Sequence, residues 1–248
     1  MLFRSGVAAD IWVLELTSGI QSRLTFGTYV ATDPTWSADG RHVAYSAYDS
    51  GKSSVRRKPV GGGSEETLVE SNERIFPQDW LLDGSLICVN LGGRYIARLA
   101  PGEKKLQALH ESPFDKDEPH VSPDGRWIAY NSTESGRWEV FVAAFPSFTE
   151  KRQVSNGGGA EPLWRKDGRE LYYLSLEGAM AAVDVKAGAT EIETGPPRTL
   201  FQTRVPVSPT FDQYRVTSDG QKFLILDPVD QGPKEFTVVL NAASGLRH

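Results

Sequence analysis

The sequence predicts an all-β fold, a β-propeller of four-stranded antiparallel blades, and three observations carry that reading. An Asp-Gly pair recurs five times in one setting, the pairs are spaced by one blade length, and the stretches between them are strand-like with no helical period. The pairs stand in Trp36-Ser-Ala-Asp39-Gly40, Trp80-Leu-Leu-Asp83-Gly84, Val121-Ser-Pro-Asp124-Gly125, Trp164-Arg-Lys-Asp167-Gly168 and Val216-Thr-Ser-Asp219-Gly220. Their aspartates lie 44, 41, 43 and 52 residues apart.

Each copy reads as the same sequence of elements. An apolar or aromatic residue ends a first strand, and Gly supplies the positive φ that reverses the chain while Asp bonds the backbone of the turn. A second strand follows, as in 127–130 and 170–173. Third strands are read at 139–143 and 179–183, and fourth strands at 66–69 and 198–201. The N-terminal stretches 10–16 and 22–26 read as the third and fourth strands of a blade without its first, and Met1–Ser5 as the tail of a second strand. The C-terminal stretches 214–216, 223–226 and 236–240 supply first, second and third strands. A ring closes without a bare edge when the chain ends share a blade. That favours five blades in one domain spanning 1–248, with six, one of them incomplete, as the alternative.

Composition narrows the function classes. The 248 residues carry a net charge of −5 with scattered Lys and Arg, which argues against a nucleic-acid partner. No apolar run reaches the roughly 18 residues of a membrane span, so no membrane insertion is expected. The first sixteen residues are interrupted by Arg4, Gly6 and Asp10 and make a poor signal peptide. The single cysteine, Cys88, sits in the apolar run 86–89 and reads as a small buried hydrophobe.

The stretch Val121-Ser-Pro-Asp-Gly-Arg-Trp-Ile-Ala-Tyr130 resembles the TolB-type propeller repeat, which also occurs in tricorn-like proteins and in prolyl oligopeptidase relatives. The ending Phe236-Thr-Val-Val-Leu-Asn241 with Gly245-Leu246 is similar to propellers that follow bacterial Ser/Thr protein-kinase domains. The resemblance implies a sensor or scaffold surface, periplasmic or otherwise extracytoplasmic, and nothing catalytic. No Gly-x-Ser-x-Gly elbow or kinase catalytic loop is present. The stretch 46–53 lacks the first glycine of a phosphate loop. The glycine triplets 61–63 and 157–159 read as outer-blade turns.

Aligning the copies on Trp36, Trp80, Val121, Trp164 and Val216 puts Asp33, Pro77, Glu118, Glu161 and Gln213 three positions upstream. One position upstream lie Thr35, Asp79, His120, Leu163 and Arg215. First strands of a propeller end at its channel, where ligands sit. Asp33, Glu118, Glu161, Gln213 and Arg215 are therefore the expected ligand-binding residues, and on the plainer reading they are solvated groups at a wet channel mouth. The sharper reading has Asp33, Glu118 and Glu161 holding Ca²⁺, with His120 or Asp79 as the base that activates a water toward a lactone or ester. His42, His110 and His248 read as surface or packing residues, and Trp36, Trp80 and Trp164 as core between blades. The expected function is a non-enzymatic module that presents its channel mouth to a protein partner or small ligand. A Ca²⁺-dependent lactone or ester hydrolase is the alternative. A second alternative is a truncated piece of a longer sensor, with an open terminal edge covered by homodimerisation.

Overall fold

The Asp-Gly turns fold alike in all five copies. A backbone amide two residues on donates to the aspartate Oδ1: Arg41 to Asp39 at 3.0 Å, Ser85 to Asp83 at 2.9 Å, Arg126 to Asp124 at 3.1 Å, Arg169 to Asp167 at 3.0 Å and Gln221 to Asp219 at 3.0 Å. Each glycine takes a φ between 68° and 84°, and its amide donates to the residue three back, as Gly125 does to the Ser122 carbonyl at 2.8 Å. This is a type I turn closed by a left-handed glycine, the loop that joins neighbouring antiparallel strands with one extra residue. In the computed structural model these turns join the first and second strands of five sheets; the structure describes residues 2–5, 9–188, 190–226 and 237–240.

The chain divides into two units, Met1–Pro113 and Phe114–His248. In the first, β1 (Leu2–Ser5), β2 (Asp10–Leu14) and β3 (Gln21–Arg23) form a three-stranded sheet. A four-stranded sheet follows, made of β4 (Val30–Trp36), β5 (His42–Asp49), β6 (Lys52–Pro59) and β7 (Glu66–Ser71). The unit's third sheet comprises β8 (Ile75–Trp80), β9 (Leu86–Asn90), β10 (Tyr95–Leu99) and β11 (Gln107–Glu111).

The second unit repeats the plan. β12 (Lys116–Val121), β13 (Trp127–Ser132), β14 (Glu139–Ala144) and β15 (Arg152–Gln153) make one meander. Next come β16 (Ala160–Trp164), β17 (Glu170–Leu174), the long β18 (Ala179–Ala187), β19 (Ile192–Thr194) and β20 (Arg198–Gln202), with β19 and β20 sharing the outer edge of β18. A last sheet has β21 (Tyr214–Val216), β22 (Lys222–Ile225) and β23 (Thr237–Leu240). All pairings are antiparallel, and the described residues contain no helix, hence none long and apolar enough to cross a membrane.

The described strands thus make six sheets, three in each unit. The second-strand remnant read in Met1–Ser5 is β1, paired to β2. The five-blade count rested on one terminal blade shared by the chain ends, but the terminal strands form two sheets of three strands each. Phe236, Asn241, Gly245, Leu246 and His248 lie outside the described residues.

Core packing follows the two-residue period of the strands. In β5, Val43, Tyr45 and Ala47 pack with Ile11, Leu24 and Ala31, whereas Ala44 faces the opposite way, with Val55, Ile75, Leu86 and Cys88. In β17, Leu171 and Tyr173 pack with Trp127, Val140 and Val142, while Tyr172 and Leu174 pack with Tyr214, Phe223 and Ile225. β5 and β17 are buried on both faces because a sheet of the same unit lies against each. Trp36, Trp80 and Trp164 pack against these clusters as expected. Cys88 is fully buried, and burial pushes its thiol up to about 12.

One turn differs from its sequence reading. The triplet 61–63 joins a third strand to a fourth, but 157–159 joins β15 to β16 and so connects one sheet to the next. The buried Glu139 carboxylate holds it, accepting the Gly158 amide at 2.9 Å and the Gly157 amide at 3.2 Å, besides the Arg137 Nε and the Ser155 hydroxyl.

Candidate functional site

The upstream ring of acids coincides with a backbone irregularity. Asp33, Glu118 and Glu161 have positive φ, 52°, 50° and 55°, and the register of the first strand slips there in each case. In β12, Asp117 pairs with Asn131 and His120 with Ala129, so Glu118 and Pro119 stand opposite Tyr130 alone. The same two-against-one count sets Asp33 and Pro34 against Tyr45, and Glu161 and Pro162 against Tyr173. These are β-bulges, and the proline has no N–H for the ladder to lose. In the second copy the ring position is Pro77, whose ring fixes φ near −65°. There the slip is narrower and falls at Gln78.

In the second unit two of these acids turn inward. Glu118 is 2% and Glu161 1% exposed, and Oε2 of Glu118 and Oε1 of Glu161 are buried without a hydrogen-bond partner among the described residues. Oε2 of Glu161 accepts the Gln213 amide at 2.5 Å, and its backbone carbonyl accepts the Tyr214 hydroxyl at 2.8 Å. Between β20 and β21 the loop carries Asp212, which takes both Nη groups of Arg215, with Nη1 to Oδ1 at 2.6 Å. His120 Nε2 lies 3.9 Å from Glu118 Oε2. One donor atom from each of Glu118, His120 and Asp212 falls within 4.8 Å of the others.

The electrostatics follow from burial and from where Arg215 is spent. Burial raises the Glu118 carboxyl well above the usual range, and the Asp212, Asp117 and Glu161 charges add to the rise. Glu161 is raised likewise by burial, against the Gln213 amide that favours its charged form. Burial pushes Asp212 upward too, but the Arg215 guanidinium outweighs it and holds that carboxyl below its ordinary value. One carboxylate is charge-compensated within the cluster and two are not.

The sequence-derived residues divide between the units. Asp33 and Asp79 belong to the first, on β4 and β8. Glu118, His120, Glu161, Gln213 and Arg215 belong to the second, and the structure brings Glu118, His120 and Arg215 together with Asp212. Gln213 turns its side chain into its own loop, accepting the Ser208 amide at 2.5 Å and donating to the Pro206 carbonyl at 2.9 Å. Asp212 was missed because it lies one place off the aligned ring, in an insertion. The signal for it was the 52-residue spacing, whose surplus is spent on β19 and on the loop 203–213.

Sheet order, bulged first strands and Asp-Gly turns define a propeller-type repeat protein with a buried polar cluster on its first strands. Residues 1–157 match the TolB beta propeller domain, and the chain belongs to that family. An uncharacterized protein of Agrobacterium fabrum is 24% identical over 220 residues, 81% of this chain and 69% of its own length. TolB from Acinetobacter baumannii superposes with a TM-score of 0.75 at 13% identity over 94% of this chain, which spans 57% of that one. An oligogalacturonate lyase in complex with manganese superposes at 0.63 with 11% identity, covering 94% of this chain and 72% of the lyase. The chain therefore spans little more than half of the TolB it resembles.

Proposed function

We propose that the chain is a binding module, extracytoplasmic as its repeat suggests, which receives a cationic group of a protein partner or small ligand at the acid cluster of its second unit. The observation that carries this is the pair of buried carboxylates, Glu118 and Glu161, each with an oxygen that no group among the described residues satisfies. A buried lone oxygen costs about 1–3 kcal/mol, and a positive φ at a non-glycine residue roughly another 1–3. Two such positions side by side suit a preorganised site, because an arriving cation recovers the first cost and uses the geometry that the second maintains. Charge selectivity follows: ammonium and guanidinium groups are favoured, carboxylates excluded.

Thermal-shift titration with short peptides ending in Lys or Arg, set against the same peptides ending in Glu, tests the reading. Basic peptides should raise the melting temperature of the wild type, and Glu118→Gln or Glu161→Gln should abolish the rise. Equal response to both peptide sets would refute it.

A second reading, a metal-dependent hydrolase of lactones or esters, draws on the proximity of Glu118, His120 and Asp212. Turnover of a lactone and aryl-ester panel that returns to chelator-stripped protein only with added Ca²⁺ or another divalent ion, and is lost in Glu118→Gln, would put it first.

A further inference from the structure

We infer that Glu118, His120 and Asp212 form a site for one first-row transition divalent cation of the Mn²⁺ to Zn²⁺ series, and not for Ca²⁺. This deepens the cation-binding reading above and rests on it. Three features of the cluster point to a metal. Its donors come from two bulge-proximal positions of β12 and from the loop before β21, and all three lie within 4.8 Å of one another. Metal–ligand bonds of about 2.1 Å at tetrahedral angles set ligands about 3.4 Å apart, so an ion draws the widest pair of these atoms in by up to about 1.4 Å. Glu118 is 2% exposed, and its Oε2, 3.9 Å from His120 Nε2, has no hydrogen-bond partner among the described residues, which leaves a buried carboxylate oxygen directed into the cluster.

The ligand set decides the class of ion. Ca²⁺ asks for six to eight oxygens, whereas an imidazole with two carboxylates suits first-row divalent ions. Two carboxylates and a neutral imidazole carry two negative charges, enough to neutralise the ion. Arg215 opposes it: its guanidinium holds both oxygens of Asp212 and is a like charge beside the ion. The ion and Arg215 therefore compete for Asp212.

That competition gives a test that a purely structural cluster would not pass. Chelator-stripped full-length protein is titrated with Mn²⁺, and the electron paramagnetic resonance signal of free Mn²⁺ reports uptake; Zn²⁺ and Ca²⁺ are then added as competitors, with circular dichroism to check each variant's fold. The expected result is one Mn²⁺ per chain, displaced by equimolar Zn²⁺ and not by equimolar Ca²⁺. Glu118→Gln and His120→Gln should each weaken binding by roughly 10- to 100-fold or more. Arg215→Gln should tighten it several-fold. No uptake, uptake unchanged in both ligand variants, or displacement by equimolar Ca²⁺ would overturn the inference. If Mn²⁺ fails while basic peptides still raise the melting temperature, the metal site falls and the binding module stands; if both fail, both fall.

Discussion

Gly220 shows how closely neighbouring sheets approach at a single residue. Its φ is +73°, and a Cβ built there would lie 2.2 Å from the Tyr172 hydroxyl oxygen but 3.4 Å from the ring carbon that bears it. The hydroxyl is fixed by its bond to Glu170 Oε2 at 2.7 Å. Gly220→Ala is expected to cost about 2–3 kcal/mol in urea unfolding, from the left-handed backbone and the overlap together. Adding Tyr172→Phe removes the overlapping atom, so the double variant should recover about 1 kcal/mol against the sum of the singles; strict additivity would mean that the backbone alone sets the cost. Glu139 is the other position where one side chain fixes a junction. Glu139→Ala strands the Gly157 and Gly158 amides and the Ser155 hydroxyl, for an expected loss of roughly 2–4 kcal/mol, with Glu139→Gln milder because it keeps one acceptor oxygen. At this scale the sequence was legible where phase carried the information. Asp33, Glu118 and Glu161 share an aligned position and share a bulge. Asp212 and Glu139 were illegible as site and junction because, Arg215 and Arg137 apart, their partners are distant in sequence, and no period marks them.

Among elements, the Asp-Gly turn recurs most faithfully, and its chemistry predicts an acid response. All five aspartates are held below their ordinary range. The Arg165 side chain and the Arg169 amide bring Asp167 down to about 2. A carboxyl depressed on folding lends stability above its unfolded value near 4, and that stability is lost as pH falls through the folded value. The gap in melting temperature between wild type and Asp167→Asn should be full at pH 5–6 and close on the way down to pH 2. A gap that stays constant through that range would mean the aspartate acts by shape and not by charge. The first strands recur less fully: three carry the same bulge and the second copy does not, and only the acid-proline pairs at 33–34, 118–119 and 161–162 hinted at it.

Across the whole chain, one gradient repeats from sheet to sheet. The second strands β9, β13 and β17 are buried at every residue, and each pairs on both edges. The outermost strands β3, β15 and β20 keep one edge unpaired and most of their side chains exposed or half-exposed. This is why the strands were legible and their grouping was not. Alternation and turn chemistry are local, while the division of the terminal strands into two three-stranded sheets depends on pairings that no single window of sequence contains. The gradient sets an order of opening, since local unfolding starts where buried contacts are few. In native-state hydrogen exchange, amides of β9, β13 and β17 should exchange at least about 100-fold more slowly than those of β3, β15 and β20. Ligand at the Glu118–Glu161 cluster should then slow β12, β16 and the loop 203–213 while leaving the outermost strands unchanged. Uniform slowing in every strand would instead place the effect of binding on global stability, and would remove the cluster from the site of contact.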